Sequence, residues 1–393
     1  MESMAKSLCA RLNIKYTDAI VPFYEKGVSA FKEKKYAILD KERILRLNTE
    51  YGLLSENLHR VLKASELIAR DTNLVVYIYM LASAIEERAS LDILETPDRE
   101  SADTDFAPLF SILYFIDDMI RKMKERGLPH KVISDTLQEF DAQINDYNYL
   151  FGRPGVRIYV GWLMRFLRGE IIRIGRFNFQ MTTLADSIRG YKKGGDIKIL
   201  IDGAYVHKNG MLFGSAGQED EAERFYASVE EENGAVIGYC ANALGECETK
   251  KIRLCGYEEF VRKGDRVLSV HIPSFKPLSE EMSESSYREA VGIFERFYPE
   301  FKYKAFHCRS WMLEKRLRLI LGKDTNITRF SERYAVYPTV SAGKDVYEYL
   351  YGLRDIKPAS ELAENNSMQR AVKKYLCEGN HIYEKGGIFI AAK

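Results

Sequence analysis

The chain has 393 residues, of which 46% are hydrophobic and 29% charged, with a formal charge of +1. That much apolar material supports at least one large core, and the near-neutral balance excludes both a disordered chain and a protein devoted to neutralising nucleic-acid phosphates. The length fits two or three domains.

Residues 1 to 150 read as helical. Leu54, Leu58, Val61, Leu62, Ser65 and Ile68 fall on one stripe, and Leu109, Ile112, Leu113, Ile116, Met119, Ile120 and Met123 on another. Leu74 to Leu94 predicts a further helix, apolar all round in its first half and therefore central. Pro129 opens a segment in which Val132, Ile133, Leu137, Phe140 and Ile144 recur at helical spacing. These stripes are packing surfaces, and none carries a catalytic motif.

Turn residues cluster at Phe151-Gly-Arg-Pro-Gly-Val156, where the charge also changes sign. Residues 1 to 150 hold 20 of the 58 Lys+Arg and 25 of the 57 Asp+Glu, a net of −5, which leaves +6 for the remainder. Much of that excess lies between Phe151 and Leu200, as a docking place for an anion or as a solvated surface. The expected fold class is α+β: a helical N-terminal domain over 1–150, then a mixed α/β domain over 151–393.

Beyond the boundary the period shortens toward two. Glu170 to Met181 and Ile197 to His207 read as strands, with an Asn209-Gly210 hairpin signal behind them. Extended pieces follow near Ala235 to Tyr239 and Lys250 to Leu254, with a helical turn expected at Tyr257 to Arg262. Arg266-Val-Leu-Ser-Val-His-Ile272 then has the β-branched content of a buried strand, ended by Pro273. Ser286 and Glu289 form a capping-box pair ahead of Ala290, Val291, Phe294 and Phe297 at helical spacing, and Ala305 to Cys308 is a second strand. The sum is a βαβ unit whose ligand-accepting end lies beside His271, Pro273 and Ser274. Further on, Glu314 to Leu321 predicts a short helix, Asn326 to Tyr337 a strand, Val346 to Leu353 and Ser360 to Leu376 helices, and Gly386 to Ile390 a closing strand.

The candidate chemistry gathers around that unit. His271 is at a strand end, where a histidine can titrate near neutrality and reach a bound substrate; the alternative is a backbone-bonded buried histidine. His207, near a hairpin, and His307, within a strand, are the candidates to oppose it in space. Cys308 beside Arg309 is a candidate thiolate or a small core hydrophobe, and Trp311 a pocket wall or a core ring. Asn326 and Arg329 offer donors suited to a carboxylate or phosphate, although turn chemistry also explains Asn326. Tyr334 and Tyr337 are candidate proton donors.

Several signals are missing. The chain has no G-x-x-x-x-G-K-[ST] loop, no G-x-S-x-G elbow, no H-E-x-x-H pair and no G-x-G-x-x-G fingerprint. The six cysteines, at 9, 240, 247, 255, 308 and 377, form no C-x-x-C pair and no zinc spacing, so neither a metal site nor a disulfide framework is expected. Met1 to Leu12 lacks an apolar leader core, and Leu74 to Leu81 is far short of a bilayer span, which needs about 20 residues. A soluble, cytoplasmic protein is expected, with no membrane and no nucleic-acid partner, and its oligomeric state is left open.

The order Arg173-Ile-Gly-Arg-Phe-Asn-Phe179, Lys263-Gly-Asp-Arg-Val-Leu-Ser-Val-His-Ile-Pro273, Cys308-Arg-Ser-Trp-Met-Leu313 and Asn326-Ile-Thr-Arg-Phe330 resembles bacterial acyltransferase-domain-containing proteins. Asn366-Ser-Met-Gln-Arg370 and the Gly-rich end add to the likeness. These proteins pair a helical N-acyltransferase N-terminal domain with a GNAT-like C-terminal domain. The resemblance implies a central, largely antiparallel sheet containing the βαβ unit, with acyl-coenzyme A as co-substrate and a small-molecule amine as acceptor. It implies catalytic roles for His271 and Tyr334, and cofactor contacts from Ile272, Pro273, Ser274 and Ser286. Cys308, Trp311, Asn326 and Arg329 would then line the substrate. The usual pyrophosphate loop of such folds, Q/R-x-x-G-x-G/A, is replaced here by Ser274-Phe-Lys-Pro-Leu-Ser279, which contains no glycine. Two functions follow as expectations: an acyl-CoA-dependent N-acyltransferase, or a non-catalytic binding module that keeps the fold. A hydrolase using Cys308 is a third.

Overall fold

A computed structural model describes residues 1–89, 94, 104–157, 161–274 and 276–390. The chain divides into two compact units, Met1–Ile174 and Gly175–Lys393, so the division falls beyond the turn-rich 151–156 segment.

The first unit is built from α1 (Glu2–Leu12), α2 (Val21–Lys34), α3 (Lys41–Tyr51), α4 (Leu58–Ile68), α5 (Thr72–Glu86), α6 (Ala107–Leu113), α7 (Ile116–Glu125), α8 (His130–Leu137), α9 (Glu139–Phe151), α10 (Gly161–Leu167) and the short strand β1 (Ile171–Ile174). The apolar run predicted from Leu74 forms α5, started by Asp71, whose carboxylate accepts from the Asn73 N–H. Eleven of its residues are buried, as a helix apolar on every side requires. The part of that expectation beyond Ala89 lies outside the described residues, apart from Leu94. Gly27 of α2 lets α5 approach closely: a β-carbon there would meet Met80 Cγ at 2.6 Å and the Val76 carbonyl at 2.8 Å. The stripe from Leu109 to Met123 is split between α6 and α7, and the one behind Pro129 between α8 and α9.

The second unit contains β2 (Phe177–Thr183), β3 (Ile188–Lys193), β4 (Asp196–Ile201), β5 (Ala204–His207), β6 (Arg224–Ala227), β7 (Glu230–Glu232), β8 (Ala235–Ala241), β9 (Cys247–Cys255), β10 (Glu258–Arg262) and β11 (Arg266–His271). It continues with α11 (Glu280–Phe297), β12 (Phe306–Ser310), α12 (Leu317–Leu321), α13 (Asn326–Glu332), β13 (Ala335–Pro338), α14 (Asp345–Tyr351), α15 (Ser367–Cys377) and β14 (Lys385–Phe389). One sheet runs β2-β11-β12-β14-β13 and is antiparallel except for β11 against β12. A second runs β10-β3-β4-β8-β7, with β9 on β8.

The first sheet is covered on both faces. On one, α11 lays Tyr287 and Phe294 against Phe177, Phe179, Phe306 and Phe389, with ring centroids 4.9–6.3 Å apart. Each fully buried ring of this kind contributes about 1.5–3 kcal/mol. On the other, Val267, Ala305, Tyr337 and Ile388 share a core with Leu184, Ile188, Ile199 and Ile201 of the second sheet and its approach. A satellite cluster holds Trp311 and Leu317 against α14 and α15.

Three local expectations are corrected. Helix α11 starts six residues before the Ser286/Glu289 pair, because Ser279 caps it and accepts from the Met282 N–H at 3.3 Å. The run Asn326 to Tyr337 is not one strand: Thr325 accepts from the Thr328 N–H and starts α13, and only Ala335–Pro338 is extended. The helical turn expected at Tyr257 to Arg262 is strand β10, paired with β3 through a register shift between Glu259 and Val261. No helix among the described residues is long and apolar enough to cross a membrane.

Candidate active site

Strands β11 and β12 are the two parallel neighbours of the βαβ unit, joined by α11. Their pairing is short. It consists of Leu268 with Phe306 and Ser269 with His307, and stops there. The outer pairings continue: β11 follows β2 as far as His271 opposite Asn178, and β12 follows β14 as far as Ser310 opposite Lys385. The C-terminal ends of the two strands therefore bound a wedge whose apex is the Ser269/His307 step. Beyond His271 come Ile272, Pro273 and Ser274, of which only Pro273 is buried.

Strand alternation sorts the side chains by face. Leu268, Val270, Phe306 and Cys308 face α11, whereas Ser269, His271, His307 and Arg309 face the other way. On that second face the polar groups interlock. The Ser269 hydroxyl lies 3.2 Å from His307 Nδ1, and His307 Nε2 lies 3.1 Å from Asp186 Oδ2. Tyr337 donates its hydroxyl to the same carboxylate oxygen at 2.7 Å. Burial alone would raise the Asp186 carboxyl, but the bonds from His307 and Tyr337 and the nearby Arg309 charge hold it below its ordinary value. An ionised carboxylate only accepts, so His307 carries a proton on Nε2 toward Asp186, and its Nδ1 faces the Ser269 hydroxyl. Ser269 and His307 are 6% and 9% exposed, so the network is shielded from water.

His271 is half-buried at the mouth, and its Nε2 lies 3.0 Å from Gln180 Oε1. The amide oxygen accepts, so the His271 ring donates to it from Nε2. Arg309 is ion-paired with Glu384 and donates to the Val340 carbonyl at 2.8 Å. Glu384 in turn is hydrogen-bonded to Asp345.

The other predicted residues lie elsewhere around the wedge. Tyr334 is on the α11 side, its hydroxyl 2.6 Å from that of Tyr287, and burial pushes both hydroxyls well above their ordinary values. Cys308 is buried against Tyr334, and burial drives its thiol up, the opposite of what a reactive thiolate needs. Ser286 accepts from the Phe177 N–H at 3.3 Å and so braces β2. Trp311 is a core ring of the satellite cluster. Asn326 is the first residue of α13, and Arg329 of that helix pairs with Glu280 at 3.1 Å. Thus His271 stands with Ser269, His307 and Asp186 on one face, and Tyr334 with Cys308 on the other. Of the first group, Ser269 and Asp186 carry no motif in the sequence, and only the tertiary fold gathers them.

The loop between β11 and α11 is held from one side. Buried Arg176 donates from Nε to the Pro277 carbonyl at 2.7 Å and from Nη2 to the Lys276 carbonyl at 2.9 Å. Pro273 and Pro277 have no N–H, so this loop presents fewer amides to an anion than a Gly-rich one. Part of the basic excess of 151–200 is held in ion pairs, Arg153 with Asp105, Arg189 with Glu231 and Glu259, and Lys198 with Asp196. No group of three or more metal-ligating side chains occurs among the described residues. A separate apolar hollow of about 220 Å³, lined by Leu244, Met312, Leu317, Leu319 and Ile327 among others, includes none of the predicted site residues.

Comparison with known proteins gives one consistent picture. Residues 171–389 match the GNAT-like C-terminal domain and residues 42–169 the N-acyltransferase N-terminal domain. The chain is similar in fold to an acyltransferase crystallised with decanoyl-CoA and teicoplanin, at 17% identity over 98% of each chain and a TM-score of 0.62. It is similarly related to an acyltransferase in complex with CoA and 10C-teicoplanin, at 16% identity over 99% of each chain and a TM-score of 0.63. No curated protein matches.

Proposed function

We propose that this chain, which belongs to the family defined by a GNAT-like C-terminal domain behind an N-acyltransferase N-terminal domain, transfers an acyl group from acyl-coenzyme A to an amine of a small molecule. The observation that carries the reading is the wedge. The β11–β12 pairing stops at Ser269 and His307, while both strands stay paired on their outer edges, so beyond that step their inner edges are not paired to each other. A pantetheine arm is a chain of amides and fits between two strand edges by the same hydrogen bonds that pair strands. Similarity to acyltransferases crystallised with decanoyl-CoA supports a thioester donor.

In this reading Ile272, Pro273 and Ser274 flank the donor, and His271 accepts the proton that the amine loses as it attacks the thioester. Tyr334 would be the donor that returns a proton to the leaving thiolate. That role requires the Tyr287–Tyr334 bond to yield, since the structure holds the hydroxyl on Tyr287. The acceptor is a small molecule, and teicoplanin is a ligand of the similar structures.

The Gly-free loop favours one other reading, a binding module that retains the sheet without catalysis. Isothermal titration with acetyl-CoA and decanoyl-CoA separates the two. Saturable binding, with CoA release on adding an amine, supports the transferase. Absence of binding by both thioesters removes it and leaves the module.

A further inference from the structure

The apolar hollow of about 220 Å³ is formed where three pieces of the second unit meet. The β8–β9 connection brings Leu244, the chain after β12 brings Met312, Lys315 and then Leu317 and Leu319 of α12, and α13 brings Ile327. Its rim is open, for Leu319 is 81% exposed and Leu244 36%. Exposed leucines that share one recess form a continuous nonpolar surface, unlike single leucines scattered over a protein.

Lys315 supplies a polar element to this lining. It is half-buried and donates to the Ser331 carbonyl of α13. Burial lowers its ammonium to about 8, against the pull of the Glu332 charge. A lysine withdrawn from water is ordinarily paired with a carboxylate, yet among the described residues no acidic side chain forms an ion pair with Lys315. The two acidic side chains of the lining are committed elsewhere: Glu332 pairs with Arg318 at 2.8 Å, and Glu314 with Arg316 at 3.7 Å and Lys385 at 3.9 Å. An ammonium has three N–H donors, and the Ser331 carbonyl accounts for one.

We propose that this hollow binds an aliphatic monocarboxylate, its hydrocarbon chain against the leucines, Met312 and Ile327 and its carboxylate on Lys315 Nζ. The inference stands apart from the acyl-CoA reading, because it concerns a second site and a free acid rather than a thioester. The volume lies below the ~300–1,000 Å³ of sites for drug-sized ligands, which suits a single unbranched chain. Walls and cation select differently. The walls reward length, so affinity rises about fourfold per methylene until the hollow is full. The cation rewards charge: a carboxylate gives it the counter-ion it lacks, an alcohol gives only a neutral hydrogen bond, and an alkylamine adds a second positive charge beside it.

The test is isothermal titration of the full chain with hexanoate, octanoate and decanoate, with decanol and decylamine as controls. The expected result is saturable one-to-one binding that tightens along the acid series, decanol weaker than decanoate by about tenfold or more, and no binding of decylamine. Lys315→Met keeps most of the stem and removes the charge. It should weaken decanoate by about tenfold or more, leave decanol unchanged and, having lost an unpaired cation, melt no lower than the parent. Leu319→Asp changes an exposed position, so folding is not at stake, and it should weaken the acids by setting a negative charge at the rim. Decanoate held equally by the parent and both variants, or displaced by CoA, places it in the wedge and overturns the second site. Decanol or decylamine bound as tightly as decanoate overturns the carboxylate assignment. No saturable binding of any of the acids overturns the proposal outright.

Discussion

The ring of Tyr337 lies across Gly386, its partner in the β13–β14 register, at a position where a β-carbon would stand 2.2 Å from the ring atom Cε2. Only a residue without a side chain leaves room for that ring, and the ring's placement brings its hydroxyl to Asp186. Gly386→Ala should therefore cost about 1–3 kcal/mol through overpacking and displace the hydroxyl. Tyr337→Phe keeps the ring and removes only the bond, for about 1 kcal/mol. Urea unfolding checks both. A Gly386→Ala protein as stable as its parent contradicts the packing described.

Asp345 and Glu384 form a carboxyl pair that stores a proton. The Asp345 carboxyl is pushed up to about 7, by burial first and then by the bond to and charge of Glu384, against the pull of Arg309 and Lys344. Its unfolded value is about 3.9. The folded state thus binds the proton more tightly, and stability falls as pH rises from about 4 to about 7, then levels off. Asp345→Asn stays neutral and keeps a donor toward Glu384. It should gain on the parent across that window, with a larger advantage at pH 8 than at pH 4 in thermal melts. An equal difference at both pH values refutes the assignment.

Glu314 and Lys385 are fully buried and 3.9 Å apart, with Lys385 also donating to the Gly245 carbonyl at 3.1 Å. Burial raises the Glu314 carboxyl and lowers the Lys385 ammonium, so both shifts run toward neutrality and the pair offsets only part of its desolvation. Glu314→Ala should cost about 3–5 kcal/mol by removing the carboxylate that most offsets the buried Lys385 charge, with Glu246 the remaining acidic neighbour. The double change Glu314→Gln with Lys385→Met should cost much less. Equal losses in the single and double variants would show that volume, not charge, is at stake.

Thiol labelling separates the cysteines. Cys255 and Cys377 are exposed, whereas Cys9, Cys240, Cys247 and Cys308 are buried. Burial raises the thiols of Cys240, Cys247 and Cys308, Cys247 to about 12. Iodoacetamide should modify Cys255 and Cys377 in the native protein and reach Cys308 only after unfolding. Rapid native alkylation of Cys308 would restore the hydrolase reading.

The βαβ unit was legible because each of its parts is punctuated locally: a β-branched strand stopped before Pro273, an amphipathic helix stopped before Pro299, and a second apolar strand. The alternation of β11 also places Ser269 and His271 on one face. The remainder of the candidate site depends on partners 121 and 151 residues distant, namely Asp186 from His307 and Asp186 from Tyr337, and no local pattern encodes such meetings. Asn326 to Phe330 misleads for a different reason. Ile327, Thr328 and Phe330 carry strand propensity, and the Thr325 cap together with the packing of Phe330 overrides it. Helix α11 starts at Ser279 although the residue three on is Met282, because the Ser279 hydroxyl accepts from the Met282 N–H, whereas Ser286, with Glu289 at cap spacing, lies inside the helix and accepts from the Phe177 N–H.

The parallel contact between β11 and β12 spans two residues, whereas each strand is bound along its length on its far side. The sheet therefore resembles two leaves sharing a narrow spine, with α11 as the strap that limits their spread. Parting the leaves was already accomplished when the chain folded, so an entering molecule does not have to unzip them.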